Sequence, residues 1–170
     1  MINRSLITGH FVIAMMQLAI ERGLPANVTQ LILFNPVTDT HMKMDSYERF
    51  KYGPFLTDAS MNWMIDAFLP NAKDRENALM SPLTFLGDDV LAKFPPTLTV
   101  LADVCPLVDE GIAFGNRLQK AGVNAPMIRA AGQLHGFFLL VPLRQNPTSR
   151  MVMETVASTI RKGLGLSAVS

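Results

Sequence analysis

The segment Gly132-Gln133-Leu134-His135-Gly136-Phe137-Phe138 carries the side chain best suited to chemistry, the imidazole of His135. It directly follows an apolar run, residues 125–130, that is typical of a buried strand. Functional groups of α/β proteins gather on loops at the carboxyl ends of parallel strands, and flanking glycines let the backbone approach a ligand closely. Taken alone, such a histidine is more often a structural residue with one satisfied hydrogen bond. The rest of the chain therefore has to decide between a general base and a structural histidine.

Apolar periodicity and turn residues predict the elements that would position this histidine. Short apolar runs predict three strands, at residues 30–34, 97–103 and 125–130. Three- and four-residue spacing predicts four helices, at residues 9–23, 57–68, 109–122 and 148–164. Helices and strands alternate along the chain, which indicates an α/β fold with about three parallel strands flanked by helices.

The first predicted helix has apolar side chains at helical spacing, and we expect the stripe of Phe11, Met15, Leu18 and Ala19 to be buried. His10 stands close to the predicted start of this helix. We interpret it as a helix-end or partner-facing residue rather than as a base.

Composition excludes several classes of function. Hydrophobic residues make up 49% of the 170-residue chain and charged residues 17%, and the net charge of +1 comes from interspersed acidic and basic side chains. No basic patch is available for phosphates, so we expect no nucleic-acid partner. The single Cys105 cannot form an internal disulfide, and no set of Cys and His residues has metal-ligand spacing. We therefore predict no metal site and a reduced, cytoplasmic environment.

The amino-terminal apolar run, residues 6–16, is not interpreted as a signal peptide or a membrane span. It contains Gly9 and His10, continues at helical spacing to Glu21, and lacks a small-residue cleavage pattern. It is also shorter than the roughly 20 apolar residues that cross a bilayer.

A series of short motifs resembles the hormone-sensitive-lipase family of esterases and lipases, within the α/β-hydrolase fold, from about Gly9 to the last helix. The motifs, in chain order, are Phe34-Asn35-Pro36-Val37-Thr38-Asp39, Tyr52-Gly53-Pro54-Phe55-Leu56-Thr57, Trp63, Asp74-Arg75, Ser81-Pro82-Leu83, Pro106-Leu107-Val108-Asp109-Glu110-Gly111 and His135-Gly136-Phe137. Their order and spacing together are more specific than any one of them. The resemblance implies a partial α/β-hydrolase fold in which the amino-terminal half of the sheet is missing.

The resemblance also implies a serine nucleophile, a histidine base, an acid that orients the base, and an oxyanion hole. His135 matches the base. The acid normally stands directly before the Pro-Leu pair, where this sequence has Cys105. Asp103, two residues earlier on the same predicted strand, is the nearest substitute, and Asp39 is the second. Asp109 is better explained as a charge that favours the start of a helix.

The nucleophile is the least certain member of this set. The family's Gly-x-Ser-x-Gly elbow should fall just before the first helix, and without gaps Leu6 occupies the serine position. Ser5 is the nearest serine, but Asn3 and Ile7 stand where the elbow needs small residues. The family's His-Gly-Gly-Gly oxyanion loop does not occur in the sequence. Ester hydrolysis by this chain alone is therefore not expected.

The missing strands would leave the segment at 30–34 as an exposed apolar edge, which favours pairing with a second copy or with a complementing chain. We therefore expect an isolated chain that self-associates. Residues 1–8 fall outside the family pattern, and residues 9–170 match the carboxyl-terminal half of the domain.

Three accounts remain open: a fragment of an esterase, one half of a split hydrolase that needs a partner chain, and a non-catalytic interaction module. By resemblance, the substrates of a completed enzyme would be small hydrophobic esters, with no cofactor.

Overall fold

The computed structural model describes residues 4–24 and 28–166, with the side chains of residues 4–8 outside that description. Three strands are present: β1 (Leu31–Phe34), β2 (Thr97–Val104) and β3 (Met127–Leu134). They form one parallel sheet in the order β1-β2-β3. The expectation of an α/β fold with three parallel strands flanked by helices is confirmed.

Four long helices alternate with the strands, as the sequence predicts. They are α1 (Arg4–Glu21), α3 (Asp58–Phe68), α6 (Val108–Lys120) and α8 (Pro147–Gly163). Four shorter α-helices lie in the connections, namely α2 (Asp45–Arg49), α4 (Pro82–Phe85), α5 (Asp88–Leu91) and α7 (Val141–Arg144), together with a 3₁₀ turn at Ala72–Arg75. None of the helices in the described ranges is long and apolar enough to cross a membrane.

Side-chain caps set the starts of two of these helices. The Thr57 hydroxyl accepts from the Ser60 N–H, and the Ser60 hydroxyl accepts from the Thr57 N–H, so that both free donors are satisfied in a capping box. At α8, the Asn146 side chain accepts from the Ser149 N–H at 2.9 Å, and Pro147 follows at the first helical position. The start of α3 is where the sequence predicts it.

Two apolar clusters cover the two faces of the sheet. One face carries Leu98, Val100 and Ala102 of β2, packed with residues of α3 and α8 such as Met61 and Val156. The other face carries Leu31 and Leu33 of β1, packed with Ile13 of α1 and with Phe114 and Leu118 of α6. The sheet is thus a middle layer between helices, which keeps its carboxyl-terminal edge clear for the loops that carry polar residues.

The face that α1 turns toward the sheet differs from the predicted one. His10, Ile13, Ala14 and Gln17 are buried, whereas Phe11 is 44% and Met15 is 69% exposed. The prediction was wrong because apolar side chains surround most of this helix, so that its periodicity does not select a face. The side that meets β1 is decided by packing.

The third strand is longer than predicted and ends closer to the histidine. It begins at Met127 and runs through Gly132, Gln133 and Leu134, which the sequence indicated as loop. Its pairing with β2 is irregular, because Ala102 pairs with Ala130 but Val104 pairs with Leu134. β3 therefore contains an extra stretch of backbone opposite the end of β2, and Gly132 there has a φ of +69°, which glycine adopts without strain.

The sheet has a free edge at β1. Within the described ranges β1 pairs with β2 and with no other strand. Its side chains are nevertheless covered on both faces, since Leu31 and Leu33 are buried and Ile32 and Phe34 are half-buried. The unpaired groups at this edge are thus the backbone N–H and C=O groups, which a further strand would satisfy.

Candidate active site

His135 follows β3 directly, in a tight turn. The Phe137 N–H donates to the Leu134 carbonyl at 3.1 Å, and the Gly136 carbonyl accepts from the N–H groups of Leu139 at 2.8 Å and Leu140 at 3.1 Å. Gly136 has a φ of +76°, so a residue with a side chain would be strained at this position. The turn places the imidazole at the carboxyl end of the sheet, as the sequence predicts.

The His135 side chain is buried, with 1% of its surface exposed. Its Nδ1 atom lies 3.3 Å from the Sγ atom of Cys105, and its Nε2 atom has no hydrogen-bond partner in the described part of the chain. Burial lowers the pKa of His135 from 6.5 to about 4, because removal from water disfavours the charged ring. The imidazole is therefore neutral at pH 7, with Nε2 left free for a group outside the described residues.

Cys105 lies between β2 and α6, at the position where the resembling family has its acid, and it is fully buried. Burial raises the pKa of its thiol to about 12, an effect that the Leu107 N–H donor opposes and the nearby Glu110 carboxyl reinforces. The residue is accordingly a protonated thiol at pH 7. Both members of the Cys105–His135 pair are uncharged.

Asp103, the predicted substitute for the acid, is bound elsewhere. Its carboxylate accepts from the Arg129 Nε–H at 2.6 Å and from the Gly132 N–H at 3.1 Å. The Gly132 hydrogen bond is the largest cause of the lowered pKa of Asp103. Burial opposes it, and the hydrogen bond and charge of Arg129 lower the pKa further. The irregular pairing lies beside Asp103, between the Ala102–Ala130 and Val104–Leu134 pairs, and Gly132 belongs to the extra stretch of β3 there. The structure thus corrects the prediction that Asp103 orients the base.

Asp39 and Asp109 also have other partners. The Asp39 carboxylate accepts from the N–H groups of His41 and Met42, each at 2.8 Å, and from the Thr84 hydroxyl. It therefore closes the turn after β1 and bridges to α4. Asp109 lies in the first turn of α6 and forms a two-point ion pair with Arg49 at 2.7 and 2.9 Å, in agreement with its predicted role at a helix start.

The Ser5 side chain, proposed from the sequence as the only local nucleophile, lies outside the described residues. Its backbone belongs to the first turn of α1. A nucleophile elbow is a strained turn between a strand and a helix, and a helical backbone at residue 5 differs from it.

Glu110 is a functional-site neighbour that the sequence analysis missed. Its carboxyl group is fully buried, accepts from the Thr38 N–H at 2.7 Å, and contacts the Tyr47 hydroxyl at 3.0 Å. Burial raises its pKa to about 8, although the Thr38 and Tyr47 hydrogen bonds oppose the rise. The signal was present in the sequence, because Glu110, Phe114 and Leu118 share one face of α6 at four-residue spacing.

The Glu110 cluster holds the segment that presents Cys105. Thr38 follows β1 and Tyr47 belongs to α2, so one carboxyl group ties both elements to the start of α6. The neighbouring Ser46 hydroxyl donates to the carbonyl of Pro106, which is the residue after Cys105. These buried hydrogen bonds fix the backbone that carries the thiol.

Phe55 forms one wall of the site. Its ring lies nearly parallel to the His135 ring, with the centroids 6.5 Å apart, and 54% of its surface is exposed. Its φ of +72° is in the left-handed region, a conformation that costs a bulky residue about 1 kcal/mol or more. Strained backbone beside a reactive side chain is common at functional sites. In the described part of the chain, no group of three or more His, Cys, Asp or Glu side chains is arranged to hold a metal ion.

Comparison with known proteins accounts for this arrangement. A family model described as the α/β-hydrolase fold matches residues 8–139. The chain belongs to this family. The resemblance to esterases of the hormone-sensitive-lipase type, inferred from the motifs, is confirmed.

Similar proteins include an esterase from Gibberella moniliformis, which is 56% identical over 92% of this chain and 49% of the relative. The ethyl acetate hydrolase of Pseudomonas putida is 30% identical over 83% of this chain and 43% of the relative. Among solved structures, carboxyl esterase 2 from Tuber melanosporum superimposes with a TM-score of 0.89 and 33% identity, over 93% of this chain and 51% of that protein. The chain spans about half the length of the curated relatives it matches.

Proposed function

We propose that this chain supplies the base of a carboxylic-ester hydrolase, with His135 as the general base of a nucleophile-histidine arrangement. The observation that carries the proposal is the geometry of His135: a buried imidazole in a tight turn after β3, with Nδ1 on a side chain at the end of β2 and Nε2 unpartnered among the described residues. A base in such an arrangement is oriented through one ring nitrogen and takes the nucleophile's proton with the other. The similarity to proteins named esterases supports the same reaction.

The proposed reaction needs groups beyond the described residues. A hydroxyl nucleophile beside Nε2 would lose its proton to His135 as its oxygen attacks the ester carbonyl, and the imidazolium would then protonate the leaving alcohol. Backbone N–H donors would have to stabilise the oxyanion that forms. We propose that a completed α/β-hydrolase domain provides both.

The proposed substrates are small hydrophobic carboxylic esters. The name of the ethyl acetate hydrolase, which is 30% identical over 83% of this chain, supports an ester of this size. The aromatic ring of Phe55 beside His135 supports an apolar substrate-facing wall.

The test is an ester-hydrolysis assay on the chain alone and on the chain combined with a polypeptide equivalent to the first half of the Gibberella moniliformis esterase. We expect p-nitrophenyl acetate to be hydrolysed by the combination and not by either part. His135→Ala should reduce the rate by about 10²-fold, whereas His41→Ala, which alters an exposed histidine, should leave it unchanged.

Two outcomes would count against the proposal. Hydrolysis that His135→Ala does not affect would remove the base from the mechanism. A combined complex that remains inactive, even with an aspartate introduced at position 105, would favour the non-catalytic interaction module instead.

We further propose that the free edge of β1 is the partner surface, because its backbone groups are unpaired within the described ranges while its side chains are already covered. The isolated chain should elute from a sizing column as a dimer or larger species, and addition of the complementary polypeptide should convert it to a one-to-one complex. Substitution Ile32→Pro, which removes a backbone donor on the side of β1 that faces away from β2, should weaken both associations relative to Ile32→Val, which keeps that donor. A monodisperse monomer that melts cooperatively would contradict the proposal.

A further inference from the structure

The Cys105–His135 pair differs from a carboxylate–histidine pair in the direction of its hydrogen bond. A carboxylate has acceptors only, so it requires the proton of the ring to sit on Nδ1. A thiol has one proton to donate, and its sulfur is a weak acceptor. The position of the ring proton therefore depends on which of the two groups at 3.3 Å acts as donor.

The surroundings of Cys105 indicate that the thiol is the donor. The side chain is fully buried, and the burial that raises its pKa keeps the S–H proton in place at neutral pH. The hydrogen-bond partner of the side chain within the described ranges is the His135 Nδ1 atom. A buried S–H proton directed at Nδ1 has an acceptor. If the ring N–H pointed at Sγ instead, the S–H proton would be left without one.

We propose that Cys105 is the positioning residue of His135 and that its thiol donates to Nδ1, so that the imidazole carries its own proton on Nε2. The catalytic consequence rests on the function proposed above. Nε2 is the nitrogen that must accept the nucleophile's proton, and in this tautomer it is already protonated. The chain thus holds its base in the unreactive tautomer.

The size of such an effect is known from serine proteases. Replacing the triad aspartate by asparagine keeps the geometry but favours the wrong tautomer, and kcat falls by about 10⁴-fold. Cys105 favours the same unreactive tautomer here, with the ring proton on Nε2. It also lacks the negative charge that would stabilise an imidazolium.

His10 provides a comparison within the same chain. It is 5% exposed, its Nε2 atom also has no partner among the described residues, and its Nδ1 atom lies 3.3 Å from the Val37 carbonyl oxygen. A carbonyl oxygen can only accept, so the ring proton of His10 must sit on Nδ1. The two buried histidines should therefore be opposite tautomers.

The titratable groups facing His135 are few. Cys105 approaches it from the segment between β2 and α6, with Glu110 behind the thiol, and the aromatic ring of Phe55 lies on the other side. Burial is the cause of the lowered pKa of His135. Among the described residues, a carboxylate introduced at position 105 would be the first charge in contact with the ring.

The test is nitrogen NMR of the chain labelled with ¹⁵N-histidine, by magic-angle spinning where the sample self-associates. Nitrogen shifts distinguish a protonated ring nitrogen from an unprotonated one, and His10→Gln and His135→Gln assign the signals. In the natural chain we expect the proton on Nε2 of His135 and on Nδ1 of His10. Cys105→Ser, which also has one donor proton, should keep the His135 tautomer.

Cys105→Asp should move the His135 proton to Nδ1 and raise the midpoint of its titration by about 1 to 3 pH units. A His135 proton on Nδ1 in the natural chain would overturn the proposal, and this measurement needs no variant to fold. A Cys105→Ser chain that changes tautomer would also contradict it. Because no step of the test depends on ester hydrolysis, its failure is distinguishable from failure of the proposed function.

Discussion

The two buried histidines of this chain show how one neighbouring atom decides what an imidazole can do. His10 lies in α1 and His135 follows β3, and their exposed fractions are 5% and 1%. Burial lowers the pKa of both rings, but the Val37 carbonyl partly opposes the effect at His10. In each ring Nε2 has no partner within the described ranges. The main difference is the atom at Nδ1, a carbonyl oxygen in one case and a thiol in the other.

Burial and an unpartnered ring nitrogen are not enough to make a histidine a general base. His10 has the tautomer that leaves Nε2 able to accept a proton, yet it lies within α1 and contacts the segment that follows β1, rather than following a strand itself. His135 lies at the end of β3, where the family places its base, yet its thiol partner favours the tautomer that cannot accept. Location and protonation are thus set by different neighbours.

The largest expected effect comes from replacing the thiol by an acceptor. In the completed domain, Cys105→Asp should raise kcat by about 10² to 10⁴-fold, because a carboxylate both moves the ring proton to Nδ1 and stabilises the imidazolium. Steady-state hydrolysis of p-nitrophenyl acetate measures the change, with Cys105→Ser as the control of similar volume and no charge. An unchanged kcat in a variant whose tautomer has switched would show that position 105 does not limit the reaction.

An effect of intermediate size is expected in the pH dependence of stability. The folded chain keeps His135 neutral down to about pH 4, whereas the unfolded chain binds a proton near pH 6.5. The unfolded state therefore holds more protons in this range, and the free energy of unfolding should fall as the pH decreases from 6.5 to 4, by up to about 3 kcal/mol from His135.

Urea unfolding at several pH values tests this comparison directly. His135→Gln should reduce the pH dependence of the free energy of unfolding more than His10→Gln does, because the Val37 carbonyl partly restores the pKa of His10. Equal flattening by the two buried variants would mean that their environments do not differ as described.

The smallest effect is expected at Asp103. Asp103→Asn should leave the His135 tautomer and the hydrolysis rate unchanged, because the Asp103 carboxylate binds Arg129 and Gly132 instead of the imidazole. Its ion pair with Arg129 is partly exposed, so the loss of stability should be about 0.2 to 1 kcal/mol. A large fall in rate at unchanged stability would restore Asp103 as the orienting acid.

Much of the fold could be predicted from local patterns. Short apolar runs located all three strands within a few residues, and the Thr57 cap located the start of α3. The same kind of evidence failed at α1, where apolar residues nearly all round the helix left its buried face undecided. It also failed at the end of β3, because a glycine-containing segment that continues as an irregular strand has the composition of a loop.

The sequence located the histidine of the candidate site but not the side chain that contacts its ring. His135 could be predicted because a short motif and its place after a strand depend on neighbouring sequence. The partner of its ring could not, because Asp103 and Cys105 both precede α6 and the choice depends on strand pairing. Glu110 was missed for a related reason, since an acidic residue in the first turn of a helix resembles its half-buried neighbour Asp109.

The sequence by itself determined the order of helices and strands, the family, and the identity of the residue that occupies the acid position. Only the tertiary structure decided which side chain faces His135 and how that side chain is protonated. The physical reason is that periodicity and motifs report local backbone preference, whereas a hydrogen bond across 30 residues depends on register, an irregular strand and burial. Cys105 is visible in the amino-acid sequence, but its contact with the imidazole follows from the fold.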